Sequence, residues 1–477
     1  MLFPTFEFWI FFLIVALVYW RLPHKGQNRW LLAASYFFYG WWDWRFLGLI
    51  GGATFLGYIS ALKMDEPGMS KTGRRAWLGI GLGGLLGSLF YFKYAGWFVE
   101  SAREFMQAVG LGDPGWVVRI GLPVGISFFT FQLLSYVLDV YRKKHEATRH
   151  PLDFALYVSF FPQLVAGPIE RQDRLQPQFE EPRKSGFTEE MFREGLYHVM
   201  LGLFKKVVIA DNLAVIANHV YNRPAGEIGF PEFLLGTYAF AFQVYGDFSG
   251  YSSIAQGVAK WLGFDLMVNF RHPYLAVNPS DFWRRWHISL SSALRDYIFI
   301  PLSFKNPTLL ITCRNLMLTM TLGGLWHGAA WTFVAWGIFH GAWLCAEAWM
   351  RHRLSLQGKV RPAEPGWGNV LRILGCFHLV CLSYVLFRSS SMEQAGLLLG
   401  SVFRNWEWTS FASFGYVYLV FFTLPLMAYE IWLERRRDLM ALTELAWGWR
   451  ALAYTVVVLF LLYFSPPSAN EFVYFRF

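Results

Sequence analysis

The sequence has 477 residues, of which 55% are hydrophobic and only 16% are charged, and its mean hydropathy is +0.32. Soluble domains carry about 25% charged residues, so this composition excludes an ordinary soluble protein and indicates a polytopic membrane protein. The net charge of +9 does not indicate a nucleic-acid-binding protein, because the Lys and Arg residues fall in short connectors and not along one continuous face.

Apolar segments recur along the whole chain, and a helix needs about 20 mainly apolar residues to cross about 30 Å of hydrocarbon. The predicted spans lie near 6–20, 30–42, 46–62, 76–99, 119–140, 151–168, 195–213, 232–251, 308–325, 329–349, 369–387, 412–433 and 450–465. Some are too short or too polar to cross fully. We therefore expect an all-α protein with a single domain over 1–477, with about ten to twelve spanning helices and additional re-entrant or interfacial pieces.

The connectors predict the orientation of the chain in the membrane. The first apolar segment has no basic residue before it and no small-residue cleavage site after it, so we expect it to remain as an anchor. The positive-inside rule places the basic connectors in the cytoplasm. These connectors are 21–29, 63–75, 142–149, 171–193, 351–361 and 435–437. The connectors 100–116 and 221–232, and the N-terminus, are then expected outside.

Metal and disulfide chemistry find no support in the sequence. The four cysteines lie inside apolar segments and form neither a CxxC pair nor a disulfide framework, so we interpret them as packing residues. They are Cys313, Cys345, Cys376 and Cys381. No HExxH or comparable ligand spacing is present, and no metal site is predicted.

Segment 278–301, "NPSDFWRRWHISLSSALRDYIFIP", is the most prominent non-spanning element. Ser280 or Asp281 is suited to cap the start of a helix, and Pro301 to mark its end. At 100° per residue, one face carries Trp283, His287, Leu290, Leu294, Tyr297 and Ile298, and the other carries Arg284, Arg285, Ser292, Arg295 and Asp296. This pattern predicts a helix in the membrane interface with its aromatic face buried. His287, on that face, is either a packed core residue or a functional group.

Segment 308–349 contains the Gly-rich stretch "GGLWHGAAWTFVAWGIFHG" at 323–341, which carries two histidines. On one straight helix, His327 and His340 are separated by about 220° and about 20 Å. They therefore cannot share a metal ion, and we expect His340 to face away from His327 and to serve packing or support the site rather than catalysis.

His327 is the stronger candidate for chemistry. The glycines at 323, 324 and 328 allow backbone or ligand to approach it closely, and Trp326 and Trp331 are expected to shape a narrow slot beside it. A neutral imidazole in a dry slot is suited to act as a general base near neutral pH.

Five segments form a specific combination. They are "DFWRRWHISLSSALRDYIFIPL", "GGLWHGAAWTFVAWGIFHG", "SFFTFQLLSYVLDVYR", "SFFPQLVAGPIER" and "YGDFSGYSSIAQG". Together they resemble the membrane-bound O-acyltransferases, most closely the bacterial branch that O-acetylates alginate, with the lipoteichoic acid D-alanyl transferases as more distant relatives. The resemblance runs through nearly the whole chain.

This resemblance implies a fold and a site. The fold is a distorted helical bundle around a central tunnel, with the catalytic histidine deep inside and the acyl donor entering from the cytoplasm. The histidine of the family's Trp-His-Gly motif corresponds to His327, and the second family position corresponds to His287, 40 residues earlier. No bound cofactor is implied, and acetyl coenzyme A is the expected acyl donor substrate.

A mechanism follows as a hypothesis. His327 would deprotonate an acceptor hydroxyl that attacks the acetyl thioester, while His287 would orient the donor or stabilise the oxyanion, where one hydrogen-bond donor is worth about 3 kcal/mol. Arginines suit the phosphates of coenzyme A, although ordinary lipid headgroup contacts are an alternative for them. The candidate donor-binding residues are Arg284, Arg285, Arg295 and Trp326.

The C-terminal segment 470–477, "NEFVYFRF", is more polar than a span requires. One interpretation is an aromatic belt at the membrane interface. The other comes from its resemblance to the terminal signature of this bacterial branch, in which a tyrosine is proposed to relay the acyl group. The matching residue is Tyr474, and a phenol is a suitable acyl acceptor.

The resemblance also implies a setting, namely a multi-pass protein of the bacterial inner membrane. The N-terminus, which the positive-inside rule places outside, is then expected in the periplasm. The donor is cytoplasmic and the polysaccharide acceptor is outside, so a periplasmic or membrane-anchored partner with an SGNH-hydrolase-like acetyltransferase fold is expected to complete the transfer. Alginate, cellulose and peptidoglycan remain open as acceptors. Two alternatives are a transporter with histidines along its path, against which no internal repeat is found, and an acyltransferase acting on a lipid or protein.

Overall fold

A computed structural model describes residues 1–118, 120–165, 167–182, 186–303, 305, 307–357 and 367–466, and within these ranges it contains helices and no strand. The first helices are α1 (Phe6–Tyr19), α2 (His24–Gly40), α3 (Phe46–Met64), α4 (Lys71–Leu89), α5 (Ala95–Ala108), α6 (Ile126–Tyr141), α7 (Pro151–Ser159), α8 (Phe161–Leu164), α9 (Gln172–Glu180), α10 (Glu189–Leu203) and α11 (Asp211–Tyr221). The later helices are α12 (Phe230–Trp261), α13 (Pro279–Arg285), α14 (Ile288–Leu294), α15 (Ile300–Leu302), α16 (Leu309–His327), α17 (Trp331–Leu356), α18 (Trp367–Arg388), α19 (Met392–Gly400), α20 (Ser410–Arg436) and α21 (Trp447–Phe464).

Short non-α helical turns join several of these helices. Among the residues that the structure describes, three are π-helical: Phe90–Tyr94, Phe204–Ala210 and Arg295–Phe299. Four more in the same ranges are 3₁₀ turns: Ala225–Glu227, Pro273–Leu275, Ser401–Phe403 and Ala441–Glu444. The second π-helical turn joins α10 to α11 without a break, so the backbone is helical from Glu189 to Tyr221.

Six helices in the described part of the chain are long and apolar enough to cross a membrane. They are Phe46–Met64, Lys71–Ala108, Leu309–His327, Gly368–Arg388, Ser410–Arg436 and Trp447–Phe464. Lys71–Ala108 comprises α4, the π-helical turn Phe90–Tyr94 and α5. Phe6–Tyr19 and Ile126–Tyr141 are apolar but shorter. The predicted all-α polytopic class is confirmed, whereas ten to twelve spans and a central tunnel stay predictions.

The prediction of a span over 151–168 is wrong. Helix α7 ends at Ser159, the backbone of Phe160 leaves the helical region at φ −50° and ψ 109°, and α8 has only four residues. The physical reason is Pro162, which has no N–H to donate and whose ring would clash with the carbonyl of Val158 in a continuous helix.

The chain forms two compact units within the single domain predicted from sequence. The first comprises residues 1–199 and 255–267. Its core is aromatic: the ring of Phe161 lies 5.8 Å from that of Phe38 and 5.4 Å from that of Phe11, between centroids. The second unit comprises residues 200–254 and 268–477, and its core buries large aromatic side chains.

In the second unit, α16 and α17 form a tight antiparallel hairpin. A Cβ at Gly324 would meet the carbonyl oxygen of Phe333, and a Cβ at Gly337 would meet that of Met320. Glycine at these two positions therefore lets the two backbones touch. The hairpin matters for the site because α16 ends at His327.

Segment 278–301 is not one continuous helix, contrary to the sequence prediction. Helix α13 ends at Arg285, and Trp286 and His287 leave the helical conformation before α14 begins. Two backbone hydrogen bonds explain the break, since Arg271 N–H donates to Arg285 O and Ile288 N–H donates to Asn269 O, both at 2.9 Å. Pairing with residues 269–271 thus replaces helical hydrogen bonds at this point.

The ends of this segment also differ from the prediction. The side chain of Asn278, and not that of Ser280 or Asp281, caps α13 by accepting from Asp281 N–H. At the other end the helix continues through Pro301 to Leu302. The predicted burial is nevertheless correct for three residues of the aromatic face, which are His287, Leu290 and Leu294.

Candidate active site

His287 occupies the break between α13 and α14. Its backbone lies in the left-handed region, at φ 44° and ψ 54°, where non-glycine residues are uncommon and where strain often accompanies a functional role. Its side chain is completely buried. The left-handed turn, rather than a helical face, therefore determines where the imidazole lies.

His327 is the last residue of α16, and its side chain is 3% exposed. Gly328 follows in an extended conformation, at φ −161° and ψ 151°, and α17 begins at Trp331. A Cβ at Gly328 would collide with the ring of Phe333. This glycine is thus required for space and not for its backbone angle.

The structure brings the two predicted histidines together. Their ring centroids are 6.4 Å apart, and both rings contact Trp326, at 5.6 Å from His287 and 5.1 Å from His327. Further aromatic rings complete the walls. We call this group the histidine pocket; its members are His287, His327, Phe248, Trp326, Trp336 and Phe387.

The polar contacts of His287 come from Asn269 and Ser289. The Nδ1 atom of His287 lies 3.3 Å from Asn269 Oδ1 and 3.4 Å from Ser289 Oγ. Complete burial disfavours the charged imidazolium and lowers the pKa of His287 to about 3. His287 is therefore neutral throughout the physiological pH range.

His340 does not share a helix with His327, because the chain turns between α16 and α17. The ring of Trp336 lies between them, with its centroid 5.0 Å from that of His327 and 4.6 Å from that of His340. His340 Nε2 is 3.0 Å from Ser383 Oγ. The two histidines are therefore not on one straight helix as predicted, and His340 packs behind the wall of the pocket.

Two details around His327 differ from the sequence interpretation. Trp331, expected beside His327, is 54% exposed, whereas Trp336 is 2% exposed and packs edge-to-face on the imidazole. The glycines at 323, 324 and 328 face side chains or backbone of the protein itself. They allow close packing of the polypeptide around His327.

The two arginines of α13 have different surroundings. Arg285 is paired with Asp281 at 3.1 Å and with Glu434 at 2.9 Å, and its side chain is 21% exposed. Arg284 is 63% exposed and lies 3.6 Å from Asp281. Arg284 therefore remains accessible to an anion, whereas Arg285 serves to hold α13 against α20.

The remaining site predictions concern metals and the C-terminal segment. No group of His, Cys, Asp and Glu side chains that could hold a metal ion occurs among the residues the structure describes. Tyr474 and segment 470–477 lie outside the described residues, so the relay stays a prediction.

Comparison with known proteins identifies the class. The sequence model of the membrane-bound O-acyltransferase family matches residues 129–389, which include both histidines of the pocket. This chain belongs to the membrane-bound O-acyltransferase family, and it is a multi-pass membrane O-acyltransferase. The family resemblance inferred from the motifs is thereby confirmed.

Several curated proteins are similar over most of their length. The probable alginate O-acetylase AlgI of Azotobacter vinelandii is 41% identical over 410 residues, which cover 86% of this chain and 79% of that protein. The peptidoglycan O-acetyltransferase of Helicobacter pylori is 35% identical over 390 residues, covering 77% and 72%. The teichoic acid D-alanyltransferase of Streptococcus thermophilus is 28% identical over 294 residues, covering 55% and 68%.

Proposed function

We propose that this enzyme transfers an acetyl group from acetyl coenzyme A in the cytoplasm for the O-acetylation of a polysaccharide outside the inner membrane. The names of two similar proteins, a probable alginate O-acetylase and a peptidoglycan O-acetyltransferase, support the acetyl group and this type of acceptor. Membership of an acyltransferase family favours this function over a transporter.

The observation that carries the proposal is the 6.4 Å separation of two buried imidazoles inside aromatic walls. We assign His327 as the general base. The acceptor oxygen attacks the thioester carbonyl while its proton passes to His327. The carbon–sulfur bond then breaks, and the sulfur takes the proton from His327 and leaves as the thiol of coenzyme A. Aromatic walls exclude water and so protect the thioester from hydrolysis.

The ion pairs of the arginines distinguish among the candidate donor-binding residues. We assign Arg284 and Arg295, each with 63% of the side chain exposed, to the phosphates of coenzyme A. Arg295 also pairs with Asp296 at 2.7 Å, a contact that leaves most of its side chain accessible. Arg285 already neutralises two carboxylates and has a positioning task. Trp326, which contacts both imidazoles, would line the path of the acyl group.

The route of the acetyl group is proposed as follows. The donor enters a central tunnel from the cytoplasm, with the N-terminus of the protein in the periplasm. The acetyl group passes to a periplasmic or membrane-anchored partner with an SGNH-like acetyltransferase fold, and Tyr474 is the proposed relay. The partner then acetylates alginate, cellulose, peptidoglycan or a related polymer.

The test is thioester cleavage by the purified protein with radiolabelled acetyl coenzyme A, in detergent or in proteoliposomes that also contain the partner. We expect wild type to release coenzyme A and to carry label, and His327→Ala to do neither. A matched control is His378→Ala, which removes an exposed histidine whose Nδ1 contacts Leu374 O. Equal cleavage by wild type and His327→Ala would overturn the assignment of the base.

A further inference from the structure

The amide of Asn269 is the centre of a small hydrogen-bond group beside His287. Asn269 is 1% exposed, and its Oδ1 accepts from Ser289 N–H at 3.1 Å and from Ser289 Oγ–H at 2.9 Å. Its Nδ2 lies 3.4 Å from Ser252 Oγ on α12. Both the oxygen and the nitrogen of the amide therefore have hydrogen-bond partners.

These contacts fix which end of the amide faces His287. The oxygen and nitrogen of an asparagine amide look alike and must be assigned from their partners. Here the decisive partner is the backbone N–H of Ser289, which can only donate, so the atom that faces it is the oxygen. The same oxygen lies 3.3 Å from His287 Nδ1.

The second neighbour of His287 Nδ1 leads to the same conclusion. Ser289 Oγ, at 3.4 Å, has its hydrogen directed to Asn269 Oδ1 and so offers only lone pairs to the imidazole. Two acceptors thus converge on Nδ1. A neutral imidazole carries one proton, and these acceptors place it on Nδ1.

We propose that Asn269 is a positioning residue that holds the proton of His287 on Nδ1, so that Nε2 of His287 acts in the reaction as a hydrogen-bond acceptor. This inference rests on the proposed acyl transfer at the histidine pocket. Two roles were expected for His287, namely orienting the donor or stabilising the oxyanion. A neutral ring with its proton on Nδ1 can orient a substrate N–H or O–H group through Nε2. The same ring has no Nε2–H to donate to an oxyanion.

The proposal places the substrate group at the contact between the two imidazoles. Their ring centroids are 6.4 Å apart, so both rings are close enough to act on one substrate atom. An acceptor hydroxyl there could be oriented by one ring and deprotonated by the other. The low pKa of His287 supports the neutral ring that this role needs.

The backbone holds this arrangement in place. Ile288 N–H donates to Asn269 O at 2.9 Å, and His287 itself adopts the left-handed conformation. The two residues are thus fixed to each other through main chain and side chain. Fixing the tautomer of a histidine through its second nitrogen is an established way of tuning an active site.

The direct test is the tautomer. In protein labelled with nitrogen-15 in its 11 histidines, solid-state NMR distinguishes a protonated from an unprotonated ring nitrogen, and the difference spectrum against His287→Gln assigns His287. We expect a protonated Nδ1 and an unprotonated Nε2. The opposite tautomer, or a doubly protonated ring at neutral pH, would overturn the proposal, whether or not the protein transfers acetyl groups.

Kinetics provide a second test. In Asn269→Leu, which removes the acceptor, we expect kcat to fall roughly 10- to 100-fold. In Asn269→Asp, the carboxylate keeps the tautomer but raises the pKa of His287. As the pH falls through this raised pKa, His287 gains a proton on Nε2, so the acid limb of the kcat profile moves to higher pH than in wild type. His327, the other titratable ring of the pocket, is the same in wild type and Asn269→Asp, so its presence does not account for a difference between the two pH profiles.

A matched control is Asn315→Leu, since Asn315 is also fully buried but lies about three turns before His327 on α16 and donates to Leu302 O. It should lower stability and leave the pH profile unchanged. A wild-type kcat in Asn269→Leu, or a wild-type pH profile in Asn269→Asp, would overturn the positioning role. Full activity of His327→Ala would instead overturn the proposed function.

Discussion

Two groups of buried polar side chains contact α12, and they differ in charge. One is the histidine pocket. The other is a lysine cluster, whose members are Lys205, Lys206, Asp211, Asp247 and Glu430. Adjacent residues of α12 contribute to both, since Asp247 belongs to the lysine cluster and the ring of Phe248 lies 4.6 Å from that of His287.

The lysine cluster consists of close ion pairs. Lys206 Nζ lies 2.8 Å from Asp211 Oδ1 and 2.7 Å from Asp247 Oδ1, and these three side chains are at most 3% exposed. Lys205 Nζ lies 3.2 Å from Glu430 Oε1. The π-helical turn Phe204–Ala210 presents the two consecutive lysines to these partners. The cluster ties helices α11, α12 and α20 together.

Burial of titratable groups therefore does not by itself locate an active site. In the lysine cluster opposite charges neutralise one another at hydrogen-bond distance, so the group holds helices in place. In the histidine pocket both rings lie among aromatic side chains, burial lowers the pKa of His287, and the backbone of His287 adopts a strained conformation. Catalysis is therefore expected in the pocket and stability in the cluster, and this contrast can be tested.

The largest effect is expected at His327. In His327→Gln, which fills much of the same volume but cannot accept a proton at neutral pH, kcat should fall roughly 100- to 10,000-fold, as for other general bases. Thermal unfolding, followed by a thiol-reactive or tryptophan signal, should stay near that of wild type. A large drop in stability with unchanged specific activity would reverse the roles of the two groups.

At Lys206 the opposite pattern is expected. Lys206→Met leaves Asp211 and Asp247 buried without their cation, which costs about 3–5 kcal/mol and should lower the unfolding temperature and the yield of monodisperse protein. The folded fraction should keep its specific activity. The control is Lys206→Met combined with Asp211→Asn and Asp247→Asn, which removes the uncompensated charge and should recover stability. If the triple variant recovers no stability, the electrostatic explanation is contradicted.

A smaller effect is expected in the hairpin that carries His327. In Gly337→Ala the added Cβ meets the carbonyl oxygen of Met320, and overpacking of this kind costs about 1–3 kcal/mol. Because α16 ends at His327, activity should fall with stability. Gly375→Ala on α18 is the matched control, since its Cβ enters open space and the better helix propensity of alanine adds up to about 1 kcal/mol. Equal behaviour of the two variants would contradict the close contact of α16 and α17.

The sequence was sufficient to predict the class and to single out the two histidines that the structure brings together, because motifs and apolar segments are local features. The break at His287 could not be predicted, since the pattern of 278–301 suits a helix and the competing hydrogen bonds come from Asn269 and Arg271, which lie outside that segment. The position of Trp336 depends on how α17 starts after Gly328, which periodicity does not encode. The lysine cluster is indicated in the sequence by two consecutive lysines inside the apolar segment 195–213. Their carboxylate partners are known only from the structure.

The smallest effect is expected at the start of α13. Asn278→Ala removes the side chain that accepts from Asp281 N–H, and the loss of such a cap costs about 1 kcal/mol. Because α13 leads directly into His287, we expect a decrease in kcat of up to about fivefold, the equivalent of 1 kcal/mol. Ser391→Ala removes the equivalent cap of α19, where Ser391 Oγ accepts from Gln394 N–H. It should lower the unfolding temperature to a similar extent without changing kcat. If both variants change kcat alike, the effect is global loosening, and the position of α13 has no special connection with the histidine pocket.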